Sequence, residues 1–313
     1  MFWGEFFAVG VVLMWAGSAI CFDYVNQFFS SIHANIIRFL FGFLWITLLL
    51  WMISGRFFFS GASTEALWWL CGAGVVGLVF GDYFLFAAYR LIHASYTQLL
   101  MTLSPLFAAV TSFFLLHEAL SLRVLLGMMV TLGGIALTIV KKNFATASDR
   151  SRLKIAISGK GIFFAILSAL GQGVGLVLSK KGMQAYHISA GPETTVFYIS
   201  IAATQIRIIV GFICFFLMTL CMKGGMVHFF HSVQNPKVVA VTGLGALFGL
   251  GIGVPLSLLA LQYAQAAVVS TIIATVPMAI LIYRRFFHHQ HISWEEWLGV
   301  MMAVLGVGMM VCR

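Results

Sequence analysis

Charged side chains are scarce in this sequence. Only 9% of its 313 residues are Asp, Glu, Lys or Arg, whereas 61% are hydrophobic. An average soluble domain carries about 25% charged residues. So few charges cannot cover the surface of a water-soluble globule of this length, which excludes that class of protein. We therefore predict an integral membrane protein.

The sequence also lacks the patterns of barrels and of common enzymes. Its apolar runs are continuous, without the period-two alternation of a membrane β-barrel. It has no P-loop, nucleophile-elbow or zinc-protease motif, so we expect neither catalysis nor direct ATP-driven pumping by this chain alone. The string Gly72-x-Gly74-x-x-Gly77 matches a dinucleotide fingerprint, but no βαβ pattern surrounds it. We expect no cofactor.

Disulfide, metal and nucleic-acid sites have little support either. The five cysteines lie in or beside apolar runs without paired spacing, which is typical of packing residues. His288, His289 and His291 have no carboxylate or cysteine partners at ligand spacing, so contact with lipid headgroups competes with a metal site, and we expect no metal. The 18 basic residues exceed the 9 acidic ones, but they lie between apolar runs. That placement favours lipid headgroups over nucleic acid.

Ten apolar runs are long enough to cross a bilayer, because a transmembrane helix needs about 20 residues. They are 3–21, 34–53, 67–88, 95–116, 122–140, 161–179, 198–221, 238–261, 266–284 and 295–312. The first run lacks a basic leader and a cleavage site, so we interpret it as a retained span. The polar segment 141–160 reads as a linker, and 181–197 as a long connection between two spans.

The chain contains an internal repeat. Shifting the sequence by 172 positions superposes Gly77 on Gly249, Gly81 on Gly253, Pro105 on Pro277, Ser121 on Ser293, Gly127 on Gly299 and Gly134 on Gly306. Upstream, Ile37-Arg38 recurs as Ile206-Arg207 at an offset of 169, and Gly4 recurs as Gly161 at an offset of 157. Matches of Gly, Pro and Arg in a fixed register indicate a duplication of nearly the whole chain.

Five spans in each copy is an odd number, and this has a consequence for transport. The second copy then begins on the opposite side of the membrane from the first, which makes the two halves inverted repeats. Inverted repeats are typical of transporters that bind substrate near the midplane and open to each side in turn. The predicted fold is an all-α membrane protein, with two inverted five-helix repeats around a central cavity.

The basic residues favour one orientation of the chain. Five Lys and Arg residues fall in loops on the side of the termini and eleven on the opposite side, six of these in the 141–160 linker. The positive-inside rule therefore places the linker in the cytoplasm and both termini outside.

Asp82 is the acidic residue deepest within an apolar run, and its equivalent in the second copy is Val254. A carboxylate at that depth is costly unless it is paired or protonated, so it is a candidate functional residue. It could bind a proton, a cation or a substrate amine. The alternative is a structural partner for an arginine such as Arg38.

Arg38 and Arg207 are the repeat-matched arginines, each near the start of its predicted span. One interpretation is that their side chains extend to the lipid headgroups. The other is that they recognise an anion or a substrate carboxylate, or pair with Asp82. We treat all three residues as candidates for charge recognition or coupling.

Pro105, Pro255 and Pro277 fall inside the fourth, eighth and ninth predicted spans. Proline removes a backbone donor and leaves a carbonyl free, which a membrane helix tolerates only beside protein or a water-filled cavity. We predict hinges next to the cavity, with packed kinks as the alternative. Further candidates for the cavity lining are Trp15, Tyr83, Tyr89, Gln98, Gln172, Ser257 and Gln262.

The two copies resemble the five-helix units of the EamA-like type in the drug/metabolite transporter superfamily. In the first copy the resemblance rests on Ala94 through Pro105, the segment His117-Glu118-Ala119-Leu120, Gly127 and Gly133-Gly134. In the second it rests on Ala266 through Pro277, Gly299 and Gly306. The predicted domains are a first repeat at 1–140, the linker at 141–160 and a second repeat at 161–313.

The resemblance implies ten helices around a central cavity lined by helices 1, 3, 4, 6, 8 and 9. Trp15, Asp82, Tyr83, Gln98, Gln172 and Ser257 lie on those helices. Two features depart from the family pattern. Gln290 stands where the second copy should carry a glutamate, and the family places both termini in the cytoplasm, against the charge count. Both orientations stay open at this point.

The sequence thus favours a secondary transporter, an exporter of small metabolites such as amino acids, in the inner membrane of a bacterium. Its expected partners are the substrate and the lipid bilayer, and we expect a monomer, with a dimer as the alternative. Two other classes compete with this prediction. An intramembrane enzyme would need a clustered nucleophile or metal site, and a membrane scaffold would have no cavity at the midplane.

Overall fold

The computed structural model describes residues 2–25, 28, 31–92, 94–146, 158–191, 193–221, 234–288 and 293–311. Within these ranges the chain is helical almost throughout and contains no β-strand. Many large apolar side chains point outward, among them Leu13, Phe114, Met129 and Val304, each more than 60% exposed. Such a surface suits lipid rather than water, because soluble monomers seldom expose large continuous apolar areas.

The first half contains helices α1 to α5. α1 is Trp3–Val25 and α2 is Ser31–Ser54. α3 joins three consecutive segments, Thr64–Ala73, Gly74–Phe80 and Gly81–Leu91, of which the middle one is π-helical. α4 is broken into Ala94–Met101 and Ser104–Leu116, and α5 is Leu122–Thr146.

The second half contains helices α6 to α10 in the same pattern. α6 is Gly159–Ala190 and α7 is Val196–Cys221. α8 joins Pro236–Ala246, the π-helical Leu247–Gly253 and Val254–Tyr263. α9 is broken into Ala266–Ile273 and Val276–His288, and α10 is Trp294–Val311. Like α3 and α4 in the first half, α8 contains a π-helical turn and α9 contains a break.

Nine of these helices, among the described residues, are long and apolar enough to cross a membrane. The tenth, α5, has a shorter apolar part, Leu122–Thr138. Repeat-matched serines begin the last helix of each half: Ser121 Oγ accepts a hydrogen bond from Val124 N, and Ser293 Oγ accepts one from Glu296 N. Glu296 in turn accepts from Ser293 N at 2.8 Å, which completes a capping box.

The prediction that 181–197 connects two spans is wrong for its first ten residues, which are helical. α6 continues to Ala190 because the face formed by Gly182, Met183 and Tyr186 is buried. Tyr186 Oη donates to the carbonyl of Ser60 at 2.7 Å, in the loop between α2 and α3. The polar residues that suggest a connection in the sequence therefore lie on α6, which packs against the loop between α2 and α3.

The α5–α10 contact shows that the two halves are inverted. A Cβ atom at Gly127 would lie 2.8 Å from the carbonyl oxygen of Gly306, and one at Gly299 would lie 2.6 Å from that of Gly134. The first glycine of each helix therefore touches the second glycine of the other, so the equivalent helices run antiparallel. Thr131 Oγ1 also lies 3.5 Å from the carbonyl of its own repeat equivalent, Ala303. The pseudo-two-fold axis passes between these two residues.

The two halves also pack against each other through their π-helical turns. In α3, Gly77 lies against Gly175 of α6, and Gly81 lies against Gln172. In α8, the equivalent Gly249 lies against Ser18 of α1, and Gly253 lies against Trp15. Ser18 and Trp15 are the repeat equivalents of Gly175 and Gln172 at the offset of 157. The predicted fold of ten helices in two inverted repeats is confirmed.

The α5–α10 contact should tolerate no added methyl group. Gly134→Ala places a Cβ against the backbone of Gly299 and Ala303, and overpacking of this kind typically costs about 1–3 kcal/mol. Gly133→Ala is the matched control, because a Cβ there meets only Met302 Cε at 3.9 Å. We expect Gly134→Ala to lower the melting temperature of the detergent-purified protein and Gly133→Ala to leave it unchanged. Equal melting temperatures would contradict this packing.

Candidate functional site

Asp82 is the centre of a buried polar cluster between the two halves. It opens the last segment of α3 and is only 6% exposed. Arg38 Nη1 of α2 lies 3.5 Å from Asp82 Oδ2, and Gln172 Nε2 of α6 donates to Asp82 Oδ1 at 3.0 Å. Arg38 also donates to Asn35 Oδ1 at 3.2 Å. Asp82 therefore joins an arginine of its own half to an amide of the other half.

Glycine allows the two helices to approach closely at this point. Gly81, the residue before Asp82, leaves room for the side chain of Gln172, because a Cβ there would lie 3.0 Å from Gln172 Nε2. Ser168 Oγ of α6 donates to the carbonyl of Gly81 at 2.7 Å. These contacts fix α3 on α6 and hold the carboxylate of Asp82 at the interface.

Arg207, the repeat equivalent of Arg38, lies near the middle of α7 and is 5% exposed. Its guanidinium lies beside α3, since a Cβ at Gly77 would be 3.6 Å from Arg207 Nη2. Asp82 is near enough to interact with it electrostatically. Arg207 is buried and the side chain of Arg38 is 22% exposed, so both lie largely within the protein.

The other predicted residues occupy different surroundings. Trp15 lies against Gly253, and Ser257 Oγ donates to the carbonyl of Val254 within its own helix. Tyr83 is 45% exposed, with its ring edge against Phe84, and Gln98 is half-buried in the first segment of α4. The described part of the structure does not include the side chains of Tyr89 and His288. It also does not include residues 289–292, which contain His289, Gln290 and His291.

Two of the three prolines follow breaks between helical segments, and the third lies within a continuous helix. Pro105 and Pro277 are the second residues of Ser104–Leu116 and Val276–His288, directly after the breaks in α4 and α9. Pro255 is the second residue of Val254–Tyr263, directly after the π-helical turn of α8. A first turn needs no N–H, so Pro105 and Pro277 are accommodated without a lost hydrogen bond. Pro255 lies inside the continuous α8, where it removes a backbone donor.

A half-open cavity of about 470 Å³ lies between the halves at the end where α1 begins and α8 ends. Its volume is within the range of small-molecule sites. Polar side chains from several helices line it, including Glu5, Arg123, Lys180, Gln262 and Gln265. Of the residues predicted to line a cavity, only Gln262 lines this one.

Glu118 and Lys180 form an ion pair between the halves beside this cavity. Glu118 Oε2 also accepts a hydrogen bond from the backbone N of Ala266 at 3.0 Å, at the start of α9, and Lys180 Nζ donates to the carbonyl of Ala264. His117 ends α4 in a left-handed conformation, with φ of 55°, and this turn directs the chain to Glu118. Side-chain exposures of 12% and 13% make the pair largely buried.

Lys180 lies outside the predicted sixth span, which ends at residue 179. Lys180-Lys181 reads as the polar end of a membrane helix. The signal that could have found it is the small and apolar spacing that continues beyond it through Gly182, Met183 and Tyr186. Lys180 therefore does not belong in the loop charge count that was used for orientation.

Comparison with known proteins agrees with this architecture. The profile of the EamA-like transporter family matches residues 2–140 and 159–312. Twenty-nine chains of solved structures also match. One of them, described only as the crystal structure of a protein, aligns with a TM-score of 0.71 at 14% identity over 98% of this chain and 95% of its own. No curated protein matches the sequence.

At 14% identity the solved structure supports the fold alone, whereas the family profile covers both halves of the chain. The chain is a multi-pass membrane protein, and it belongs to the EamA-like transporter family.

Proposed function

We propose that this chain is a secondary transporter that exports small metabolites, such as amino acids or related compounds, by alternating access. The observation that carries the proposal is the pair of inverted halves with buried charged groups at their interface. The protein acts as a monomer in a bacterial inner membrane, and its energy comes from proton coupling, exchange or the substrate gradient.

In this proposal, movement of α6 couples the opening of one end of the protein to the closing of the other. α6 carries Gln172, bonded to Asp82, and Lys180, paired with Glu118. These residues are eight positions apart, which is about 12 Å along a helix. Gly175 lies between them and packs against the backbone of Gly77. We propose that α6 rocks about the Gly175–Gly77 contact.

Rocking about that contact would break one of the two polar links, Asp82–Gln172 or Glu118–Lys180, while the other stays formed. Separation of the Glu118–Lys180 pair opens the end that holds the cavity, and separation of Asp82 from Gln172 opens the opposite side. Breaking a buried ion pair costs several kcal/mol unless water solvates both charges. The Glu118–Lys180 pair therefore separates only when water enters that end of the protein. This favours fully closed and fully open states over intermediates in which the charges are separated but dry.

Asp82 is the proposed coupling residue, because protonation would remove the negative charge that Arg38 and Gln172 hold in place. Asp82→Asn preserves the size of the side chain and removes that charge. We expect a protein that folds, with flux in proteoliposomes that no longer responds to an imposed proton gradient. Glu65→Gln, an exposed acid of the same α3, is the control. If proton dependence is the same in Asp82→Asn and in wild type, Asp82 has no part in coupling.

The Glu118–Lys180 link can be locked covalently. In a variant with its native cysteines replaced, Glu118→Cys and Lys180→Cys should be joined by a short bis-maleimide, and flux should then fall to background. The same variant before cross-linking is the control for the loss of the ion pair itself. Full flux in the cross-linked protein would show that this contact does not open during transport.

The breaks before Pro105 and Pro277 are the proposed hinges. Pro277→Ala restores a backbone donor and should favour a continuous α9, which would hinder bending at Ala274–Thr275. We expect altered labelling, from one side of the membrane, of a single cysteine placed at Gln262 in the cavity wall. Leu106→Ala, next to the other proline on the lipid-facing side of α4, should leave labelling unchanged. Identical labelling of Pro277→Ala and wild type would argue against a hinge at α9.

A further inference from the structure

Arg207 has no hydrogen-bonding partner among the described residues. Its Nε is buried and unbonded, as is that of Arg38. Unlike Arg38, however, Arg207 donates no hydrogen bond from its guanidinium to any described side chain or carbonyl. No described carboxylate lies within the 4 Å of an ion pair. The nearest opposite charge, Asp82, is already bonded to Arg38 and Gln172. This condition is unfavourable, because Arg207 Nε has lost water without gaining a hydrogen bond and only the attraction of Asp82 offsets the charge.

Comparison with the first half shows which partners are missing. Arg38 contacts Asp82 and Asn35. The repeat equivalents of these two partners are Val254 and Thr204. Valine accepts no hydrogen bond, and Thr204 Oγ1 donates to the carbonyl of Ser200 at 2.7 Å in its own helix. The second half thus carries the same arginine without either partner.

The charges of the cluster do not balance. Among the described side chains of the cluster, Arg38 and Arg207 contribute two positive charges and Asp82 one negative charge, a net charge of +1. One further negative charge would balance the cluster. A guanidinium can donate two parallel hydrogen bonds to a carboxylate or a phosphate, which makes arginine the side chain suited to that ligand.

We propose that Arg207 binds an anionic oxygen group, a carboxylate or a phosphate, of the transported metabolite. This assignment rests on the proposed transport function. The guanidinium is enclosed in the conformation described here, so the anion reaches it only when the halves separate. For an α-amino acid, the carboxylate binds Arg207 and the ammonium group is left to face Asp82.

The first test needs no ligand. If Arg207 is vacant in the unliganded protein, Arg207→Met removes an unbalanced charge, and the melting temperature of the detergent-purified protein should be equal to or above that of wild type. Arg38→Met is the matched control, because it leaves Asp82 without its ion pair and should lower the melting temperature. A melting temperature that falls as far in Arg207→Met as in Arg38→Met would make Arg207 a structural partner of Asp82 and overturn the proposal.

The second test uses pairs of probes that differ in their anionic group. Glucose 6-phosphate with glucose tests phosphate, and L-alanine with L-alaninol tests carboxylate, each up to 10 mM in a thermal-shift measurement. In one pair, the member that carries the carboxylate or phosphate should raise the melting temperature of wild type, and the member without that group should not. Arg207→Met should weaken that binding more than ten-fold, and Arg207→Lys should retain part of it. Equal shifts in wild type and Arg207→Met, or no shift with either anion, would overturn the assignment.

Flux of the same probes in proteoliposomes separates this inference from the transport function. Binding that depends on Arg207 without any flux would leave the anion site intact and count against transport. Flux of glucose or alaninol without binding of either anion would support transport and remove the anion site.

Discussion

The close approach of α5 and α10 through their glycines is the constraint on which the rest of the arrangement depends. Lipid chains are as apolar as leucine, so membrane helices gain little from hydrophobic burial and associate through close packing of small residues. Gly127 and Gly134 of one helix meet Gly306 and Gly299 of the other. Because these helices are repeat equivalents and run antiparallel, their contact fixes the two halves in opposite orientations. The same two-fold relation accounts for two further contacts. α6 packs against the π-helical turn of α3, and α1 packs against the π-helical turn of α8.

The packing of the two halves is symmetric, but the polar residues at their interface are not. Asp82 is matched by Val254, Asn35 by Thr204 and Gln172 by Trp15. The backbone contacts obey the two-fold relation, so under the proposed alternating access an inward-open and an outward-open state would use equivalent packing. The polar groups do not obey it, so protons or ligands can bind the two states with different affinity. A ligand shifts such an equilibrium only by its differential affinity for the two states.

Much of the fold could be predicted from the sequence, because membrane spans, repeat registers and prolines depend on local composition. Asp82, Arg38, Gln172 and Arg207 were all named from their polarity within apolar runs. The extent of α6 could not be predicted in this way. Lys180 is polar, and only a distant partner, Glu118, together with the carbonyl of Ala264, makes its position inside a helix bundle favourable. The π-helical turns had no signal of their own beyond the glycines that they contain.

The anion proposed for Arg207 also bears on whether the transporter can change state without its substrate. Under the anion proposal, the carboxylate or phosphate of the substrate lies against Arg207 and offsets its charge, which has no such partner when the substrate is absent. A charge moved across the membrane field changes in energy by about 2.3 kcal/mol per 100 mV, and an unbalanced buried charge is unfavourable in any conformation that excludes water. Occlusion of the empty site therefore costs more than occlusion of the loaded one. A carrier built in this way returns more readily with an anion than without one, which favours exchange over leak.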